Sequence, residues 1–264
     1  MNRLPSDSKL PITYTRRQLN AAYRAVPLAD SISRLLRRYC NAMANLYGVI
    51  TVEDAFEIIS GQNADAISRK QFYSFVEIAV HEFEDFCILK PEEIYVDEPK
   101  SKVGAWYILD TNIAAGNACS IDSILRSHQG LEAFVPKKTA LLKYDNIMFS
   151  AVRSETDWLR NFLKNEMHLN DERAGDVFDN LLFAVRCLEP SISNVAAYLS
   201  NQGLGFDSEQ DAEKFASIFV SFAETERRQA FYGHTAVEVG SKAYKNDLCW
   251  NKISIFSLVH SHQA

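Results

Sequence analysis

Apolar residues recur along most of this chain at helical spacing. In "LADSISRLLRRYCNAMANLYG", Ile32, Leu35, Leu36, Tyr39, Cys40 and Met43 fall three and four apart and form one stripe. Asp30 or Ser31 is placed to cap its start, and Gly48 to stop it. "TVEDAFEIIS" predicts a short helix with Val52, Ala55, Phe56 and Ile59 on one face. Thr51 is its N-cap, with Asp54 three residues on. Gly61 to Asp65 reads as a turn, and Ser68 caps a second helix that turns Phe72, Phe75, Val76 and Ala79 inward. Then "FCIL" and "EIYVD" read as two short strands around Lys90-Pro91, with "AWYIL" as a third. Helix, helix, then a strand pair is the order of a winged-helix module.

From Ser120 onward the helical period returns and stays. "SIDSILRSHQG", "KTALLKYDNIMF" and "SETDWLRNFLKNEM" each predict a helix. Asp171 is placed to cap "ERAGDVFDNLLFAVRCL", Ser191 or Ser193 to start "NVAAYLSN", and Asp207 or Ser208 to start "EQDAEKFASIFVSFAETERRQAF". No fixed-period repeat or low-complexity segment interrupts the pattern. The expected fold is mainly α: a winged-helix-like α+β module followed by a compact all-helical domain. The expected bounds are a basic helical arm over 1–45, the module over 46–117, the helical domain over 118–240 and a tail over 241–264.

Composition adds charge to this picture. The net charge is -6, whereas a protein that coats phosphate backbone is usually strongly basic. Locally the balance reverses. Arg3, Lys9, Arg16, Arg17, Arg24, Arg34, Arg37 and Arg38 face only Asp7 and Asp30 within residues 1–45. The second helix of the module begins with Arg69, Lys70 and Gln71, where a recognition helix meets base edges. Arg16, Arg17, Arg34, Arg37, Arg38, Arg69 and Lys70 are therefore the candidates for contact with nucleic acid or with an acidic protein. Glu92, Glu93, Asp97 and Glu98 in the hairpin would repel a phosphate backbone.

Five widely separated cysteines, Cys40, Cys87, Cys119, Cys187 and Cys249, fit reduced thiols better than a disulfide framework. "MNRLPSDSKLPITYTRR" has no apolar core, so a signal peptide is not expected, and no run approaches a membrane span. The expected location is the cytoplasm, with no membrane partner. No phosphate-binding loop, nucleophile elbow or zinc-protease motif occurs, and a non-enzymatic chain is expected.

Three stretches together resemble a known group. "NLYGVITVEDAFEIISGQN", "FVPKKTALLKYDNIMF" and "ETERRQAFYGHTAVEV" resemble segments of bacterial proteins that carry a C-terminal SEC-C motif, a zinc-binding tail best known from the SecA translocase. On that resemblance Arg227, Gly233, His234, Thr235 and Glu238 fall on family positions, while Glu224, Thr225 and Glu226 depart from it. The tail resembles the zinc motif only through Lys245, Asn246, Asp247 and Cys249. Asn251 stands where the second cysteine belongs, Ile253, Ser254 and Ile255 replace a Gly-Ser-Gly run, His260 takes the third ligand position and Ser261 the fourth, with His262 one residue late. Cys249, His260 and His262 are the weak metal candidates, but a structural zinc needs four ligands, so no cofactor is expected, zinc included.

The residues around Arg227 and His234 admit a structural reading and a catalytic one. Gly233 ends a helix and Thr235 caps a last turn with Glu238 as box partner. A histidine also suits acid–base work, but no nucleophile is specified beside it. The expected function is that of a bacterial interaction or regulatory protein with an unknown protein partner. The alternatives are a DNA- or RNA-binding regulator and a zinc-binding SEC-C-type protein.

Overall fold

The computed structural model describes residues 12–63, 67–82, 86–116, 118–188 and 191–240. The chain divides into two compact units, Met1–Phe149 and Ser150–Ala264.

In the first unit α1 (Arg16–Ala25) and α2 (Asp30–Tyr47) lead into β1 (Val49–Thr51), α3 (Val52–Asn63) and α4 (Arg69–Ala79). β2 (Phe86–Leu89), the short α5 (Pro91–Ile94) and β3 (Tyr107–Asp110) follow. The sheet is antiparallel in the order β1-β3-β2, with Leu109 opposite both Val49 and Cys87. Helix, strand, two helices and a closing strand pair, with the first strand at the edge beside the last, is a winged-helix arrangement; its two helices and strand pair were expected from the sequence, and β1 was not.

Local chemistry accounts for the boundaries. Gly48 at φ 72° lets the chain leave α2 and turn into β1 at once. The Thr51 hydroxyl accepts from Asp54 N at 3.0 Å. Ser68 and Gln71 form a reciprocal capping box that starts α4. Buried Leu36, Tyr39, Cys40 and Met43 of α2, Phe72, Phe75 and Val76 of α4, and Ile88, Ile108 and Leu109 of the sheet make the core. Fully burying one such side chain stabilises the fold by about 1.5–3 kcal/mol. Burial pushes the Cys87 thiol up to about 12, with Asp110 adding to it, and raises that of Cys40 as well.

Three expectations need correction. "EIYVD" is not a strand: Pro91 occupies the first turn of α5, and Glu93 Oε2 accepts from Lys90 N at 2.8 Å. Proline has no N–H to give a ladder but fits the start of a helix. α2 is not part of a separate arm either, because it packs on β3 and supplies the first helix of the module. Only α1 remains peripheral, with no buried residue.

The boundary expected at 117/118 also moves, to Phe149/Ser150. α6 (Thr111–Gly116), α7 (Ala118–Ser127) and α8 (Lys138–Leu141), with a 3-10 turn over Leu142–Asp145, belong to the first unit. The reason is a row of side-chain donors on α2 and α3. Asn41 and Asn45 donate to the carbonyls of Asp145 and Tyr144, both at 2.9 Å. Tyr47 Oη and Gln62 Nε2 donate to the carbonyls of Phe134 and Pro136, both at 2.8 Å. Lys138 Nζ closes the row on Asn63 Oδ1. Two of the three stretches that carry the family resemblance are thus one packed surface.

The second unit is helical. α9 (Ser154–Asn161), α10 (Asp171–Phe183), α11 (Ile192–Asn201) and α12 (Glu209–Thr225) carry π-helical turns over Phe162–Glu166 and Ala184–Leu188. Ser191 and Ser208 are the N-caps of α11 and α12, and Asn170, one residue before Asp171, caps α10. Phe162, Phe178, Phe206, Phe215, Phe219 and Phe222 dominate its core.

Candidate functional site

The amino end of α4 is the place where a winged helix would meet a base edge. Arg69 stands at its first position and is already engaged. Its guanidinium pairs with Glu57 at 2.6 Å and with Glu53, and lies 4.6 Å from the centroid of the Phe56 ring. Tyr73, one turn on, donates its hydroxyl to the same Glu53. α3 therefore presents two carboxylates to the cation of α4. Gly104 of the wing packs against this group: a Cβ there would lie 2.5 Å from Tyr73 Oη and 2.9 Å from Glu53 Oε2. Lys70 remains exposed.

The wing is acidic and internally braced. Glu92 accepts from Ser101 Oγ at 2.6 Å and from Ser101 N at 3.2 Å. Burial raises the Glu92 carboxyl, but these hydrogen bonds and Lys90 outweigh it and hold it below the usual carboxylate range. Lys90 Nζ lies 5.0 Å from the Trp106 ring centroid and 3.7 Å from Glu93. At the tip Val96 is half exposed and Asp97 sits at φ 62°.

α1 lies against α4. Thr15 and Gln18 cap it reciprocally, and the Tyr14 ring stacks on His81 with centroids 3.8 Å apart. Tyr23 packs on Phe75, and Arg37 covers the Tyr23 ring at 4.4 Å while gripping Glu82 at 2.8 and 3.0 Å. Burial, reinforced by Glu82, raises the Tyr23 hydroxyl well above its ordinary value. Arg38 pairs with Asp145 at 3.0 Å.

The seven cationic candidates therefore separate into two sets. Arg37, Arg38 and Arg69 are held in ion pairs. Arg16, Arg17, Arg34 and Lys70 are exposed, and among the described residues none of them makes an ion pair.

In the second unit, Arg227 donates to Gly233 O at 2.9 Å and to both oxygens of Glu238, at 2.8 and 3.1 Å. Gly233 adopts φ 82°, and Thr235 and Glu238 cap each other at 3.0 and 3.2 Å. His234 Nδ1 lies 3.4 Å from Glu238. Burial raises the Glu238 carboxyl, but hydrogen bonds from Arg227 and Thr235 N and the charges of Arg227 and His234 carry it down to about 2. Arg227, Gly233, His234, Thr235 and Glu238, the five positions singled out by the resemblance, thus lie together in one hydrogen-bonded loop.

Sequence reasoning missed the pair beneath that loop. Arg186 and Glu226 are 0% and 2% exposed and meet at 2.7 Å. Ser150 Oγ donates to the other Glu226 oxygen at 2.9 Å. The available signal was a charged residue inside the apolar run "LLFAVRCL". Glu226, one of the departures from the family pattern, is its counter-ion.

Comparison with protein-family models, with curated proteins and with solved structures found no match. Among the described residues no three His, Cys, Asp or Glu side chains are grouped to hold a metal ion. Cys249, His260 and His262 lie outside the described residues. No described helix is long and apolar enough to cross a membrane.

Proposed function

We propose that this chain is a non-enzymatic, cytoplasmic bacterial interaction or regulatory protein whose winged-helix-like module makes protein contacts. In this reading it is related to SEC-C-bearing proteins and has a degenerate metal motif. The observation that carries the proposal is the clamp on Arg69 by Glu53 and Glu57. A recognition helix reads bases with side chains at its amino end, and here the leading cation is already paired with two carboxylates. The braced acidic wing supports the same reading. The closed Arg227–Glu238 loop supports a structural role for that motif, since its polar groups serve one another.

A mobility-shift assay with duplex DNA and with RNA at about 50 mM salt tests this, because phosphate contacts are strongest at low ionic strength. No shift is expected. A salt-sensitive shift that weakens when Arg37, Arg38, Arg69 and Lys70 become Ala overturns it. Metal-dependent turnover of a hydrolase substrate panel by pure protein would overturn the non-enzymatic part.

A second reading, a nucleic-acid-binding regulator, rests on exposed Arg16, Arg17 and Arg34. It predicts a shift that depends on these arginines and survives Arg69→Ala.

A further inference from the structure

α1 is a preformed cationic surface. A capping box fixes its first turn, none of its residues is buried, and no acidic residue lies between Asp7 and Asp30. Arg17 and Arg24 are exposed and seven residues apart, so they lie on one stripe, two turns or about 10.5 Å along the axis. Elsewhere in the first unit Arg37, Arg38, Arg69 and Arg126 have carboxylate partners. Arg17 and Arg24 have none among the described residues.

The second unit carries a surface of the opposite sign and the same spacing. Glu172, Asp176 and Asp179 follow one another along α10, with Glu172 and Asp179 again seven apart. They line an open groove of about 510 Å³ together with Tyr198 and Gln202 of the α11 end. Burial, reinforced by the charge of Asp176, raises the Tyr198 hydroxyl above its ordinary value. Arg173, the cation within the groove, is turned to Gln202 O at 2.6 Å. Carboxylates around an aromatic ring bind guanidinium by charge, hydrogen bonding and cation–π contact together.

We infer that this chain self-associates, the Arg17/Arg24 face of α1 in one copy lying in the Glu172/Asp176/Asp179 groove of another. Each copy supplies one cationic and one acidic face of matched spacing, and charge complementarity between them is what names a second copy as the occupant. The inference extends the proposed protein-contact role from the winged-helix-like module to α1, against the second reading that gives its arginines to nucleic acid. The mobility-shift assay tests that premise separately from the experiment below.

Sedimentation of the full chain at about 50 mM and about 1 M salt tests it, since the screening length falls to about 3 Å at the higher value. Self-association is expected at low salt and a monomer at high salt. Arg17→Glu with Arg24→Glu weakens self-association about tenfold or more, as does Glu172→Lys with Asp179→Lys, through like-charge contacts. The chain carrying all four substitutions self-associates again, which separates lost complementarity from lost folding. A wild-type monomer at low salt overturns the inference, as does failure of the four-fold variant to pair while its circular dichroism stays native. So does a monomer that binds DNA or RNA through Arg17 and Arg24.

Discussion

The Arg69 guanidinium lies 2.6 Å from the Glu57 carboxylate, joining the first residue of α4 to the outer face of α3. The pair is half exposed, so its worth is small. Glu57→Gln is expected to lower stability by about 0.2–1 kcal/mol at low salt and by less at high salt. Urea unfolding at two salt concentrations checks this. A loss that does not change with salt would point to packing of Arg69 on Phe56 instead.

Gly104→Ala is expected to cost about 1 kcal/mol or less, because the new methyl group meets Tyr73 Oη and Glu53 Oε2 inside contact distance but both are side-chain ends that can shift. Tyr73→Phe removes the nearer of these atoms. In that background the same substitution should cost much less, and a double-mutant cycle in urea measures the difference. Equal cost in both backgrounds would place the strain elsewhere.

The Arg186–Glu226 pair is sealed from water, so breaking it strands a charge. Arg186→Met alone is expected to cost about 3–5 kcal/mol. Adding Glu226→Met should return part of that loss, although Ser150 then gives up its acceptor. Chemical denaturation of the three variants decides it. A double variant worse than the single one would show that Glu226 has a second role.

Glu238 links folding to pH. Its carboxyl titrates at about 2 in the folded chain against 4.5 when unperturbed, so folding favours the ionised form. Its contribution is fully present above about pH 4.5 and is lost as pH falls toward about 2. The stability gap between wild type and Glu238→Gln should therefore hold steady at neutral pH and close across that acid window. Denaturation at a series of pH values reads it directly.

Features set by near neighbours were legible in the sequence. Gly48 stopping α2, Ser68 with Gln71, Thr51 with Asp54, and Thr235 with Glu238 each depend on residues within a few positions, where capping chemistry is a local code. The main helices and the strands "FCIL" and "AWYIL" followed from apolar spacing, whereas β1, only three residues long, was too short to show a period. Pro91 misled because "EIYVD" alternates like a strand, while the proline selects a helical start. The partners of Arg69 and Arg37 were hidden, since Glu57 and Glu82 reach them only once helices pack. The same holds for Arg186 and Glu226, forty positions apart. Sequence named the cations but could not show which were already neutralised.

The donors on α2 and α3 grip the main chain of 134–145 rather than its side chains. These bonds therefore form late in synthesis. A nascent chain that has emerged only through β3 has the three strands and four helices of the winged helix, yet Asn41, Asn45, Tyr47 and Gln62 still lack the carbonyls they hold in the finished unit. The module gains these bonds only after the segment through Asp145 has left the ribosome, so a fragment cut at residue 117 leaves four side-chain donors without the acceptors they have in the finished unit.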